Sequence, residues 1–243
     1  MLHFLSSWSI RAVLLDVDGT LYSQSRLRAL MALELGLLPV AQMSYKKAYA
    51  TWRALGIFRR VREELRALGA GEACLRALQY SAAAQQAGWE TETLEHLVVP
   101  WLYQRPLKYL RFCRRHGLEA FFTFLRCHEV QIGVFSDYPV AEKLRSLGIA
   151  QHVALSLCAT DAEINAFKPH PKGFLQACQH WGLPPETVLY IGDRPAVDAT
   201  GALQAGMPCA IIASWLPDRE RKFLSDRCQA FPSFPHLQRA LTS

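Results

Sequence analysis

No apolar run in the chain approaches the roughly 18 residues of a membrane-spanning helix, so no helical membrane span is expected. Cys-x-x-Cys pairs are missing. The seven cysteines, at 74, 113, 127, 158, 178, 209 and 228, are scattered and odd in number. That pattern fits idle thiols in a reducing compartment better than a disulfide framework or a zinc site. Gly-Lys pairs are absent, which removes a Walker phosphate loop. Gly69-Ala70-Gly71 lacks a third glycine and follows no strand. His128-Glu129 has Ile132 where a zinc protease needs its second histidine. There is no long basic run and no aromatic-rich nucleic-acid motif, so a nucleic-acid partner is not expected. Met1 to Ile10 has neither a basic leader nor a small-residue cleavage pattern, and two aspartates follow closely; the expected location is the cytosol. Internal repeats and low-complexity segments are absent too, and the oligomeric state stays open.

What is present describes a globular chain. Its 243 residues suffice for one sizeable core, or a core plus a smaller module, and 51% of them are hydrophobic against 20% charged. The net charge of +6 could draw an anionic substrate toward a cleft, although a solvated basic surface is the default reading.

The stretch Arg11 to Tyr22 organises the rest. Ala12 to Leu15 form an unbroken apolar run that ends at Asp16, as expected of a strand buried on both faces of a parallel sheet. Asp16 and Asp18 then fall at its carboxyl end, where open α/β sheets bind ligands. Gly19 permits a sharp turn. Two carboxylates this close persist when a cation or a shared proton offsets their repulsion. A calcium loop fails on spacing, because Leu21 and Leu27 stand where its glycine and glutamate belong. A plain surface turn stays open on this segment alone.

Residues 23–105 carry apolar residues at helical spacing, such as Leu27, Leu30, Met31, Leu35 and Leu38. Gly36, Pro39, Gly56, Gly69, Gly71, Gly88 and Pro100 punctuate them into expected short helices. From about residue 106 the pattern alternates. Strands are expected at Val130 to Phe135, Val153 to Leu157, Val188 to Ile191 and Cys209 to Ala213, with helices between them and one more near His236 to Leu241. The fold class is therefore α/β: a Rossmann-like parallel sheet core, residues 1–22 and 106–243, with an all-helical module inserted at 23–105.

Three further pieces lie at strand ends or loops. Ser136 follows the second strand, where a serine is ordinarily a cap. Lys168 precedes a proline at a helix entrance, where a lysine is ordinarily a solvated charge. Asp193 ends a strand after Gly192, and Asp198 lies one turn into the next helix. Both could face one cation, or both could simply sit at a helix's positive end.

Taken together, Asp16-Val17-Asp18-Gly19-Thr20, Ser136, Lys168-Pro169 and Gly192-Asp193 with Asp198 resemble, in order, the four motifs of the haloacid-dehalogenase-like hydrolases. The position of the helical insert is similar to that of a cap in phosphoglycolate-phosphatase-like members. The resemblance covers residues 10–22 and about 106–213, and does not reach the insert in residue detail.

The resemblance implies a phosphatase acting on a small phosphorylated substrate. Asp16 would be the nucleophile forming an aspartyl-phosphate, and Asp18 the general acid and base. Ser136 and Lys168 would hold the transferring group. Mg²⁺ would be held by the Asp16 carboxylate, the Asp18 main-chain carbonyl and Asp193, with Asp198 acting directly or through water. Asp18 favours phosphate-ester hydrolysis, because the dehalogenase branch lacks a carboxylate there. Two alternatives share the motifs: a phosphomutase on a sugar phosphate, similar to β-phosphoglucomutase, and a catalytically idle binding or scaffold member. Tyr22 lies near the catalytic loop by sequence. Trp52, Phe58, Arg59 and Arg60 are candidate substrate contacts, for which core packing or solvent exposure is the stronger reading at any one position.

Overall fold

The computed structural model describes residues 9–41, 45–69 and 71–242. Residues 1–8, read above as carrying no leader, lie outside them, as does the side chain of Leu38. The six strands are β1 (Ala12–Leu15), β2 (Gln131–Ser136), β3 (Leu155–Cys158), β4 (Val188–Gly192), β5 (Cys209–Ile212) and β6 (Cys228–Phe231). They form one sheet in the order β3-β2-β1-β4-β5-β6, with every pairing parallel. β1 is central, with Ala12 to Leu15 opposite Gln131 to Val134 on one side and Val188 to Ile191 on the other. All four of its side chains are fully buried, which is why the sequence shows a continuous rather than an alternating apolar run.

Successive β1 side chains serve opposite faces. Val13 and Leu15 join an apolar cluster with Phe121, Phe122, Leu144 and Phe234, while Ala12 and Leu14 join one with Phe135, Phe174 and Tyr190. The second cluster runs on into the helices that follow β1, taking in Phe58, Val61, Leu94 and Trp101. Those helices are α1 (Gln24–Ala41), α2 (Tyr45–Leu68), α3 (Leu75–Ala87) and α4 (Thr91–Val98), the last passing into a π-helical turn, Val99–Gln104. Then come α5 (Leu107–Cys113) and α6 (Leu118–Cys127). Beyond β2 lie α7 (Ala141–Leu147), α8 (Lys172–Trp181), α9 (Thr200–Gln204), α10 (Asp218–Arg221) and α11 (Phe234–Thr242).

Two expectations are corrected. Gly36, Pro39 and Gly56 do not break the inserted helices: α1 runs through the first two and α2 through the third. An interior glycine costs a helix only about 1 kcal/mol, and the buried stripe of Ala54, Leu55, Phe58, Val61 and Leu65 outweighs it. Pro100 likewise sits inside the π-turn rather than ending a helix. Gly88 does stop α3, at φ 71°. The tail, expected to hold one short helix, also contributes β6. That edge strand is four residues long and only partly buried, so its apolar pattern is faint.

Gly173, inside α8, shows how closely this helix lies on the sheet: a Cβ there would sit 2.1 Å from Cζ of Phe135. Gly173→Ala is expected to lower stability by about 1–3 kcal/mol, measured as a shifted urea midpoint.

Candidate active site

β1, β2 and β4 end side by side, and their carboxyl ends carry Asp16, Ser136 and Gly192. The Asp16 N–H donates to the Ile191 carbonyl at 2.8 Å, continuing the β1–β4 ladder into the loop after β1. Gly19 follows at φ 105°, and a Cβ there would fall 2.1 Å from Oδ2 of Asp193. Only glycine lets the loop after β1 lie so close to the loop after β4. Gly192 answers the same need, since its Cβ would fall 2.4 Å from the Asp198 side chain. Arg115 clamps the turn from the other side, its Nε and Nη2 donating to the Gly19 carbonyl at 2.9 and 2.7 Å.

The six residues singled out by the motifs meet in two linked groups. In the first, Lys168 Nζ donates to Asp16 Oδ1 at 2.6 Å, Asp198 Oδ1 at 2.7 Å and the Tyr190 hydroxyl at 2.9 Å. Asp198 Oδ2 accepts the main-chain N–H groups of Asp193 and Arg194 at 3.1 and 2.9 Å, which shapes the turn carrying Asp193. In the second, Asp18 accepts from Lys143 Nζ at 2.5 and 2.7 Å, from the Ser136 hydroxyl at 2.9 Å and from the Tyr22 hydroxyl. Thr20 joins Asp16 to Asp193, its hydroxyl 3.2 Å from one carboxylate and 3.5 Å from the other.

Electrostatics separate the two groups. Burial would raise the Asp18 pKa, but the charge and hydrogen bond of Lys143, with Tyr22 and Ser136, outweigh it and hold the carboxyl below its usual value. Asp16 is pushed up, first by burial and then by Asp198, Asp193 and Asp18, against the pull of Lys168. Asp193 is pushed up to about 7, by burial and then by Asp198. Lys168 is raised despite burial, because Asp16 and Asp198 hold its charged form.

Asp16, Asp193 and Asp198 each place a carboxylate oxygen within 4.8 Å of the others. Lys168 pairs with two of the three carboxyls, Asp16 and Asp198, and the donors are all hard oxygens, so the donor set fits a divalent hard cation. Asp16 and Asp193 are the freer pair. Asp198 already accepts from Lys168, Tyr190 and two amides.

Several residues of the site have no sequence motif. Lys143 reads as one more charge on a surface helix, yet it is buried. Tyr190 looks like strand core until its hydroxyl is placed. Asp137 ties the loop after β2 to the loop of Lys168, accepting the Lys168 N–H at 3.1 Å. It also links to α2, where Arg66 donates to its Oδ2 at 2.9 Å and Arg62 to its carbonyl at 2.6 Å. Arg62 lies between the rings of Tyr138 and Phe167, its guanidinium carbon 4.0 and 4.3 Å from their centroids. Of the candidate contacts, Phe58 is core, packed on Tyr80, while Trp52, Arg59 and Arg60 are exposed. All seven cysteines are free thiols, and among the described residues no helix is long and apolar enough to cross a membrane.

A family model for haloacid dehalogenase-like hydrolases matches residues 10–206. The chain belongs to that family. Among curated relatives, it is 28% identical over 151 residues to the phosphoserine phosphatase of Thermus thermophilus, covering 59% of this chain and 56% of that protein. It is 42% identical over 66 residues to the glyceraldehyde 3-phosphate phosphatase of Methanopyrus kandleri, covering 27% and 28%. The chain thus spans little more than half the length of one of these relatives and about a quarter of the other. Of solved structures, the HAD phosphatase of Thermococcus onnurineus shares the fold at a TM-score of 0.62 and 19% identity, covering 96% of this chain and 98% of that one.

Two outcomes follow from this geometry. Asp193 carries a proton below about pH 7 when no cation is bound, and a cation seated there has to displace it. Affinity for a divalent cation is therefore expected to rise with pH through about 7, as isothermal titration calorimetry with MgCl2 at pH 6, 7 and 8 will show. Arg66→Ala would leave the Asp137 carboxylate largely buried without its cation. A stability loss of about 3 kcal/mol is expected in denaturant titration.

Proposed function

We propose that the protein is a Mg²⁺-dependent phosphatase that hydrolyses a small phosphate monoester through an aspartyl-phosphate on Asp16. The observation that carries this reading is the division of labour between the two aspartates of the first motif. Asp16 lies with Lys168 beside the acidic cluster, and Asp18 stands apart with its own lysine, Lys143. The phosphatase names of the two curated relatives support the same class.

In this reading a carboxylate oxygen of Asp16 attacks phosphorus, and the bond from phosphorus to the ester oxygen breaks. Asp18, a carboxylate at rest in the grip of Lys143, takes up a proton from solvent and as the acid gives it to the departing oxygen. As a carboxylate it then takes one from the water that attacks the aspartyl-phosphate, and inorganic phosphate leaves with Asp16 restored. Ser136 and Lys168 donate to the phosphoryl oxygens and screen their charge. Asp16, Asp193 and the Asp18 main-chain carbonyl would hold Mg²⁺, which when bound would neutralise part of the phosphoryl charge. Asp198 keeps Lys168 and the Asp193 turn in place. Residues 23–105 serve as a cap that closes over the site, and Arg62 and Arg66 join it to the loop after β2.

Phosphate release from a panel of small phosphate esters tests the proposal. Activity is expected to require Mg²⁺ and to fall by at least about 1,000-fold in Asp16→Asn, since the nucleophile is removed. A folded native protein that releases phosphate from none of the esters would overturn it. Phosphoryl migration only after a sugar bisphosphate is added would point instead to a mutase.

A further inference from the structure

We infer that Lys143 is a positioning residue for the leaving-group chemistry: its ammonium fixes the direction of the Asp18 carboxylate while an ester occupies the site. This rests on the phosphatase reading above. Lys143 stands in the first turn of α7, between the buried residues Val140 and Leu144, so its backbone is anchored in the core. The side chain is 7% exposed. An ammonium taken out of water costs several kcal/mol unless a counter-charge is well placed. Among the described residues, Asp18 is the acid within ion-pair distance, and Lys143 reaches both of its oxygens, at 2.5 and 2.7 Å. The Tyr138 ring packs on the other side of the ammonium, its centroid 5.0 Å from Nζ.

Asp18 has two other partners, Ser136 and Tyr22. The Ser136 hydroxyl is the group proposed to turn to a phosphoryl oxygen, and it leaves Asp18 when it does so. Tyr22 approaches a single oxygen, Oδ1. Lys143 is then the partner that still grips both oxygens and sets the plane of the carboxylate. Lys168, by contrast, reaches one oxygen of Asp16 and is shared with Asp198, so of the two lysines only Lys143 holds a first-motif carboxylate by both oxygens.

Leaving-group dependence separates this role from a merely structural one. Alkyl phosphates need a proton on the departing oxygen, whereas p-nitrophenyl phosphate does not. In Lys143→Met, kcat is expected to fall about 100-fold on alkyl esters but less than about tenfold on p-nitrophenyl phosphate, with KM little changed. Lys143→Arg, which keeps the charge, should recover most of the alkyl activity. Equal losses on both esters would overturn the inference, as would an undiminished rate on alkyl esters. If Lys143→Met does not fold, Lys143→Gln carries the same comparison. If the wild-type protein hydrolyses neither ester, the phosphatase reading fails by itself. Crystal structures of wild type and variant then decide the positioning: an Asp18 side chain turned from its wild-type direction sustains it, and an unmoved one overturns it.

Discussion

One buried ammonium gathers the carboxyl edge of the sheet. Lys168 is 3% exposed and touches Asp16 at the end of β1 and Asp198 in the turn after β4. Carboxylates taken from water this completely repel one another and lose hydration, and the lysine offsets part of both costs. Two strand ends and the loop before α8 thereby become one rigid unit. The remaining acidic excess, seen in the raised pKa values of Asp16 and Asp193, is what makes the place receptive to a cation.

The helical segment between β1 and β2 is joined to that unit by charge as well as by apolar packing. Arg62 and Arg66 project one turn apart from α2 and reach the loop after β2. Arg66 also donates to the Lys168 carbonyl. Arg62 is enclosed by aromatic rings and bonded to Gln79 of α3, so its charge is neither solvated nor idle. Across the mouth, Glu63 and Arg194 approach to 3.7 Å, a half-exposed pair that adds little energy. Any movement of the helices over the site must therefore disturb the residues next to Ser136 and Lys168. These two arginines thus tie α2 to the loops at Ser136 and Lys168.

The fold class, the order of the motifs and the meeting of Asp16, Asp18, Ser136, Lys168, Asp193 and Asp198 were legible from the sequence. All of them but Asp198, which lies one turn into a helix, stand at the end of an apolar run or at a proline or glycine that marks a loop. Parallel strands bring such ends to one edge whatever joins them. Gly19 was legible as the residue of a sharp turn, although what fills the place of its Cβ, the Asp193 carboxylate, comes from the far loop after β4.

Lys143, Asp137, Tyr190, Arg62 and Arg66 were not legible, for one physical reason. A charged or hydroxyl-bearing side chain on a helix or in a strand reads the same whether it meets water or a buried partner. The partner is distant in sequence, 125 residues away for Lys143 and Asp18, and 71 for Arg66 and Asp137. The unbroken helix α2 and the edge strand β6 were hidden likewise, since the buried stripe of α2 overrode the local signal of Gly56 and pairing with β5 supplied the ladder that β6 lacks alone, while α1 runs through Gly36 and Pro39 against their local signals. The sequence by itself determined which side chains the sheet edge would present. Only tertiary packing decided their counter-charges, because ion pairing inside a protein depends on proximity in space and on exclusion of water, and no short stretch of chain encodes either.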